Sequence, residues 1–205
     1  MNTSHIRLIY EDNIDDEIFT NFINTVSSKN LLLEKVSREK GGPFAGLEWL
    51  MSTMIIAYIS KSYFDGFLKE MGKDHYQILK KSFVAMWDKV LGEKAPKMVL
   101  VTGNSSPNKI KNDNPYSFYF SIVSDAKENK QFKLLIDTNC SFEEYKKIIN
   151  VFLDFLEQYH NNNLDDNFVE EIHKKAIGKM ILVSYEKNTN NLKFITLNDI
   201  INRKS

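Results

Sequence analysis

The densest group of side chains that could do chemistry is Lys73-Asp74-His75-Tyr76, which lies between two apolar stretches. A histidine titrates near neutral pH, so His75, oriented by Asp74 or by a distant carboxylate, is a candidate general base of a small hydrolase or nuclease. The competing interpretation is a helix start, with Asp74 as the N-cap and His75 in the exposed first turn. Adjacent helical residues do not face each other, so Asp74 would not then orient His75.

The single cysteine is the second candidate. Cys140 precedes Ser141, the predicted cap of a long helix, and a thiol near a helix N-terminus can have a lowered pKa and act as a nucleophile. His160 lies at the other end of that helix, roughly 30 Å away, so the two cannot pair, whereas His75 or His173 could approach. The alternative is a structural thiol. One cysteine also excludes an internal disulfide or a multi-cysteine metal site.

Motifs for metals, phosphates and cofactors are missing from the sequence. The four histidines show no metal-ligand spacing, and the acidic cluster from Glu11 to Asp16 lacks the EF-hand pattern. There is no Walker loop, no Gly-x-Gly-x-x-Gly and no Gly-x-Ser-x-Gly. We therefore expect neither a metal nor a cofactor.

The overall charge favours no nucleic-acid partner. Twenty-seven basic residues balance 27 acidic ones, and only three of the basic residues are arginine, the side chain that best reads guanine and phosphate. The first ten residues hold no apolar run of signal-peptide length, so we expect a cytoplasmic protein in which a reduced cysteine is ordinary.

Hydrophobic periodicity predicts a β-α-β unit at the start of the chain. His5–Tyr10 and Leu31–Val36 are the strand candidates, and apolar residues at helical spacing lie between them. The stretch Trp49–Ser60 then has 12 residues without charge, fewer than the roughly 20 apolar residues that a membrane span needs. We predict a long buried helix over Phe44–Ser60, continuing amphipathically to Gly72, and a second amphipathic helix over Tyr76–Leu91.

The second half has the pattern of segregated hairpins and helices. Ser141 and Glu144 form a capping-box pattern at the start of a strongly amphipathic helix. The predicted elements are a strand (Met98–Thr102), a hairpin (Phe118–Ser124 with Gln131–Asp137), the capped helix (Phe142–Tyr159), a short helix (Phe168–Ala176) and a second hairpin (Lys179–Tyr185 with Leu192–Leu197).

These elements predict an α+β fold. We expect one compact domain over residues 1–205; the alternative is a division into a helix-rich part, 1–95, and a hairpin-and-helix part, 96–205. The long apolar helix needs a partner surface, which residues 96–205 could supply.

The leading functional hypothesis is a non-enzymatic cytoplasmic protein that acts through a protein partner or as a homo-oligomer. The chain has 14 Phe, 9 Tyr and 2 Trp, an aromatic surplus that is typical of binding surfaces. The candidate binding residues are Trp49, Tyr58, Tyr63 and Phe67. Such a chain could be an accessory or immunity component of a bacterial conflict or phage-defence (antiviral) system. The alternatives are a membrane-active protein that uses the apolar helix 44–67 in an oligomer, and the hydrolase or nuclease that uses His75.

Overall fold

The structure is a computed structural model, and it describes residues 4–39, 53–93, 95–96 and 115–202. Its centre is a sheet of seven strands that mixes parallel and antiparallel pairs. The strands are β1 (Ile6–Glu11), β2 (Leu33–Arg38), β3 (Ile55–Ile59), β4 (Phe120–Asp125), β5 (Gln131–Leu134), β6 (Met180–Glu186) and β7 (Asn191–Ile195).

Seven α-helices accompany the sheet in the described residues. They are α1 (Thr20–Val26), α2 (Leu68–Met71), α3 (Lys73–Ala85), α4 (Trp87–Val90), α5 (Phe142–His160), α6 (Asp166–Lys174) and α7 (Leu197–Ile201). A 3-10 turn, Asp16–Phe19, precedes α1, and a π-helical segment, Tyr63–Phe67, runs directly into α2. None of these helices has the length and apolar character needed to cross a membrane.

The strands follow the order β2-β1-β3-β4-β5-β6-β7. β1 and β2 are parallel neighbours joined through α1, which is the β-α-β unit that the sequence predicts. The pairs β3–β4 and β5–β6 are also parallel, whereas β1–β3, β4–β5 and β6–β7 are antiparallel. The sheet therefore draws strands from both residues 1–95 and residues 96–205. In the part of the chain that the structure describes, β2 and β7 are the two edges of the sheet.

The main core lies between one face of this sheet and the helices. Alternation along each strand directs every second side chain to that face, as with Ile6 and Leu8 of β1 or Phe132 and Leu134 of β5. A smaller apolar cluster lies on the opposite face, where Ile200 of α7 joins strand residues. We call these the helix face and the open face.

The prediction of a long apolar helix over Phe44–Ser60 is wrong where the structure describes it. Ile55–Ile59 is β3, a strand near the middle of the sheet between β1 and β4, and residues 44–52 lie outside the described residues. A strand covered on both faces has a continuous apolar run, which periodicity alone cannot distinguish from a buried helix. The membrane-active alternative assumed one helix over 44–67, and within that range Ile55–Ile59 is a strand.

The α+β class is confirmed, and most other elements agree with the sequence. The capping box of α5 is present, with the Glu144 amide donating to Ser141 Oγ and the Ser141 amide to Glu144 Oε2. Both predicted hairpins form. The predicted strand Met98–Thr102 lies outside the described residues. Helix α7 was not predicted, although it has its own capping box between Thr196 and Asp199.

Candidate functional site at the edge of strand β7

His75 is a buried core residue, only 5% exposed, and both of its ring nitrogens are satisfied. Nε2–H donates to the backbone carbonyl of Val26 at 2.8 Å, and the Tyr63 hydroxyl donates to Nδ1 at 3.0 Å. The carbonyl can only accept, which fixes this tautomer. Asp74 is exposed and lies inside α3, which begins at Lys73 after Gly72, so it is not the N-cap that we expected. The pairing of Asp74 with His75 is not formed.

Cys140 is buried, and its environment opposes thiolate formation. Burial, aided by the charges of Asp137 and Glu144, raises the pKa of the thiol to about 12. A nucleophilic cysteine needs the opposite shift, because the thiolate is the reactive form. The position before the Ser141 cap therefore does not produce the activated thiol that the sequence suggested.

The aromatic binding candidates are not free surface residues. Trp49 lies outside the described residues, and Tyr63 and Phe67 are buried in the core of the helix face. Tyr58 lies on the open face, where the guanidinium of Arg7 covers its ring at 4.4 Å and its hydroxyl donates to Asp125. Burial and this carboxylate raise the pKa of Tyr58 to about 12. All three described aromatics hold the fold together.

A second histidine network joins α5, α6 and the β4–β5 turn. The Lys127 amide donates to the Tyr159 hydroxyl at 2.8 Å, so the phenol donates to His173 Nε2, also at 2.8 Å. His173 Nδ1 lies 3.6 Å from the Glu128 carboxylate. Burial, with a contribution from nearby Lys130, lowers the pKa of His173. These contacts fasten the turn to both helices, and no grouping of ligands in the described residues could hold a metal ion.

The most distinctive surface lies along β7. Within the described residues β7 pairs only with β6, so the backbone groups on its outer edge have no strand partner. A groove with a cavity volume of about 780 Å³ runs beside this edge, between the strand and helices α5 and α6. Its apolar floor consists of Val151, Phe155, Leu164, Phe168, Leu192 and Phe194.

Aromatic packing shapes that floor. Phe194 of β7 lies edge-on to Phe155 of α5, with ring centroids 5.4 Å apart, and edge-on to Phe168 of α6 at 5.8 Å. Phe168 is still 37% exposed, and Leu197, at the start of α7 directly after the strand, is 44% exposed. Phe168 therefore leaves a large apolar side chain beside an edge that has no strand partner among the described residues, and Leu197 exposes another shortly after the strand.

The rim of the groove carries charges of both signs. Three carboxylates and two ammonium groups line it: Asp154, Glu186, Asp199, Lys175 and Lys193. Lys193 lies 2.8 Å from Asp199, and its hydrogen bond, together with those from Thr196, holds the pKa of this carboxyl well below its usual range. The one lysine of β7 therefore has a counter-ion within its own chain.

The sequence contains β7 as half of a predicted hairpin but no sign that it is an edge. Strand order depends on long-range pairing that neither composition nor periodicity encodes. The groove residues come from five helices and strands, α5, α6, β6, β7 and α7, and from the loops between them, so no single stretch of the sequence marks the groove.

We call this surface, the outer edge of β7 with its groove, the β7 edge.

Comparison of the chain with models of protein families found no match, and neither the curated proteins nor the solved structures gave a significant match.

Proposed function

We propose that the protein is a non-enzymatic binding protein and that the β7 edge takes up an extended segment of another polypeptide. The observation that carries the proposal is an unpaired strand edge directly beside an aromatic groove. In β-strand addition, main-chain hydrogen bonds supply affinity, and pockets for alternate side chains supply specificity. The β7 edge offers both.

The geometry defines the chemistry of the segment. An added strand would extend the sheet, so every second side chain would enter the groove on the helix face, against Phe168 and Leu192. Apolar residues are favoured at those positions, because each one buried contributes about 1.5–3 kcal/mol. The intervening side chains would lie on the open face near Lys193 and Asp199, where polar residues are favoured. The partner is thus a strand of alternating apolar and polar residues.

The state of the catalytic candidates supports binding rather than chemistry. His75 uses both ring nitrogens inside the core, and Cys140 has a raised pKa. A reduced, buried thiol is in keeping with a cytoplasmic location. For the biological setting, an accessory or immunity role in a bacterial conflict or phage-defence system remains our hypothesis, and the genes beside this one would test it.

The proposal can be tested by photo-cross-linking in cells that carry the gene. Benzoylphenylalanine replaces Phe168 in one variant and Ile78 in a control; Ile78 is 39% exposed on α3, a helix that contributes no residue to the groove. We expect a discrete adduct from position 168 only. The linked segment, made as a synthetic peptide, should then slow hydrogen exchange of residues 191–196. No adduct, equal adducts at both positions, or a peptide that leaves exchange unchanged would contradict the proposal.

A further inference from the structure

We infer that the polypeptide bound at the β7 edge is β7 of a second copy, paired antiparallel about a two-fold axis so that the two sheets become one. This inference rests on the proposed function and names its partner. A two-fold interface uses the same patch on both subunits, so the patch must complement itself in shape and charge.

The register follows from the side chains of β7. If the axis passes beside Phe194, this ring lies opposite its copy on the helix face, and Lys193 lies opposite the second copy's Ile195. An axis beside Lys193 would place two ammonium groups directly opposite each other, which is destabilising. The first register also gathers Phe168 of both subunits around the paired Phe194 rings and closes the groove from both sides.

The rim carries charges of both signs, as a surface that contacts its own copy requires. Because the groove carries both carboxylates and ammonium groups, the two-fold operation can bring opposite signs together along the contact. Lys193 already has Asp199 as its counter-ion at 2.8 Å, so pairing buries no isolated charge there. A partner that carries charge of only one sign would meet like charges as well as opposite charges on this rim.

The other sheet edge is less suited to the same contact. β2 has the sequence Leu-Glu-Lys-Val-Ser-Arg, and its four central residues are exposed. Charged residues on an edge strand are a common device that prevents sheet extension. β7 has one charged residue among five, and both faces beside it present apolar side chains.

The test is the mass of the full chain in solution. Sedimentation velocity at concentrations up to about 200 μM should give a dimer of twice 23.9 kDa. The double variant Phe168→Lys with Leu197→Lys should raise the dimer dissociation constant by at least about tenfold, because it places charges in the contact. Ile78→Lys, an equally exposed position on α3, should leave the constant unchanged. Circular dichroism is used to check that each variant is folded. If the lysine double variant is not folded, Phe168→Gln with Leu197→Gln takes its place.

A monomer at every concentration would overturn this inference, and so would a dimer whose dissociation constant the double variant leaves unchanged. Neither result decides the proposed function, which would survive if benzoylphenylalanine at position 168 captured a different protein. An adduct of twice the chain mass, lost in Leu197→Lys, would support both. Failure of the wider proposal is therefore distinguishable from failure of the dimer.

Discussion

Replacing Lys133 by methionine should abolish a large part of the pH dependence of stability. Lys133 lies in β5 between Phe132 and Leu134; these face the helices, so the lysine projects from the open face. Its cross-strand neighbours are Val123 and Leu182, and it is only 1% exposed. Burial, followed by the nearby positive charge of Arg38, lowers the pKa of Lys133 from 10.5 to about 7.

The sign of the effect follows from proton counting. Between the folded pKa and 10.5 the unfolded chain holds a proton that the folded chain has released, so the free energy of unfolding rises as the pH increases. The limiting slope is about 1.4 kcal/mol per pH unit. Integrated from pH 7 to pH 9, this one lysine adds about 2 kcal/mol to the free energy of unfolding.

Two other groups with shifted pKa values act mainly outside this window. Burial lowers the pKa of His160 to about 4, so that histidine adds its slope below pH 7. Burial raises the pKa of Cys140 from 9.0 to about 12, so its unfolded form releases a proton first and stability falls above pH 9. Both groups are unchanged in Lys133→Met. The difference between the wild-type protein and the variant therefore isolates Lys133.

The assay is urea unfolding, followed by circular dichroism at pH 7, 8 and 9, of the wild-type chain, Lys133→Met and the control Lys146→Met. Lys146 is exposed on α5. The wild-type protein and the control should gain about 2 kcal/mol relative to Lys133→Met across the range. If all three proteins change in parallel, the ammonium of Lys133 keeps an ordinary pKa in the folded state and the reasoning fails.

Two further predictions concern the hydrogen-bond network of the core and the turn that precedes α3. Tyr63→Phe removes the only donor to Nδ1 of His75 in the described network, so it should lower the free energy of unfolding by about 1–2 kcal/mol in chemical denaturation. Asp74→Asn, the control, should change the free energy of unfolding by less than about 0.5 kcal/mol. Equal effects of the two variants would contradict the tautomer argument. Gly72→Ala should lower the free energy of unfolding by about 1–3 kcal/mol. The cost comes from the backbone, since Gly72 has φ 76° and ψ −178°, and not from crowding, since an added methyl group would meet nothing within 4 Å. Gly66→Ala, equally uncrowded but helical, should raise the melting temperature, and a fall for both glycine variants would show that the strain at Gly72 is misassigned.

Local signals in the sequence were sufficient for much of the fold. α5 has a capping box at Ser141 and nearly five turns of regular apolar spacing, so its start and its buried face could be predicted without tertiary information. The hairpin β6–β7 likewise has two apolar strands around a polar turn. In these elements, propensity, capping and periodicity all favour the same structure.

The failures share a physical cause, which is dependence on distant parts of the chain. Ile55–Ile59 is uniformly apolar, and only its position between β1 and β4 makes it a strand. Lys133 carried no signal of its own in the sequence, because it alternates with apolar residues like a solvent-facing lysine of a half-exposed strand, yet it is buried. His75 has the sequence context of an exposed helix start, but the carbonyl that binds it lies in α1, far away in the chain.

The same dependence explains why the candidate site had no signature. Which strands lie at the edges of a sheet is determined only when all the strands have paired. The two edges of this sheet can therefore be compared only in the folded protein. β2 exposes a charged strand, with Lys35 bound to Asp16 and Glu34 accepting a hydrogen bond from Ser4. β7 instead places Phe194 beside an open aromatic groove. Unprotected edges promote aggregation, so selection normally removes them unless they are used. The contrast between the two edges is therefore the strongest reason to assign binding to β7.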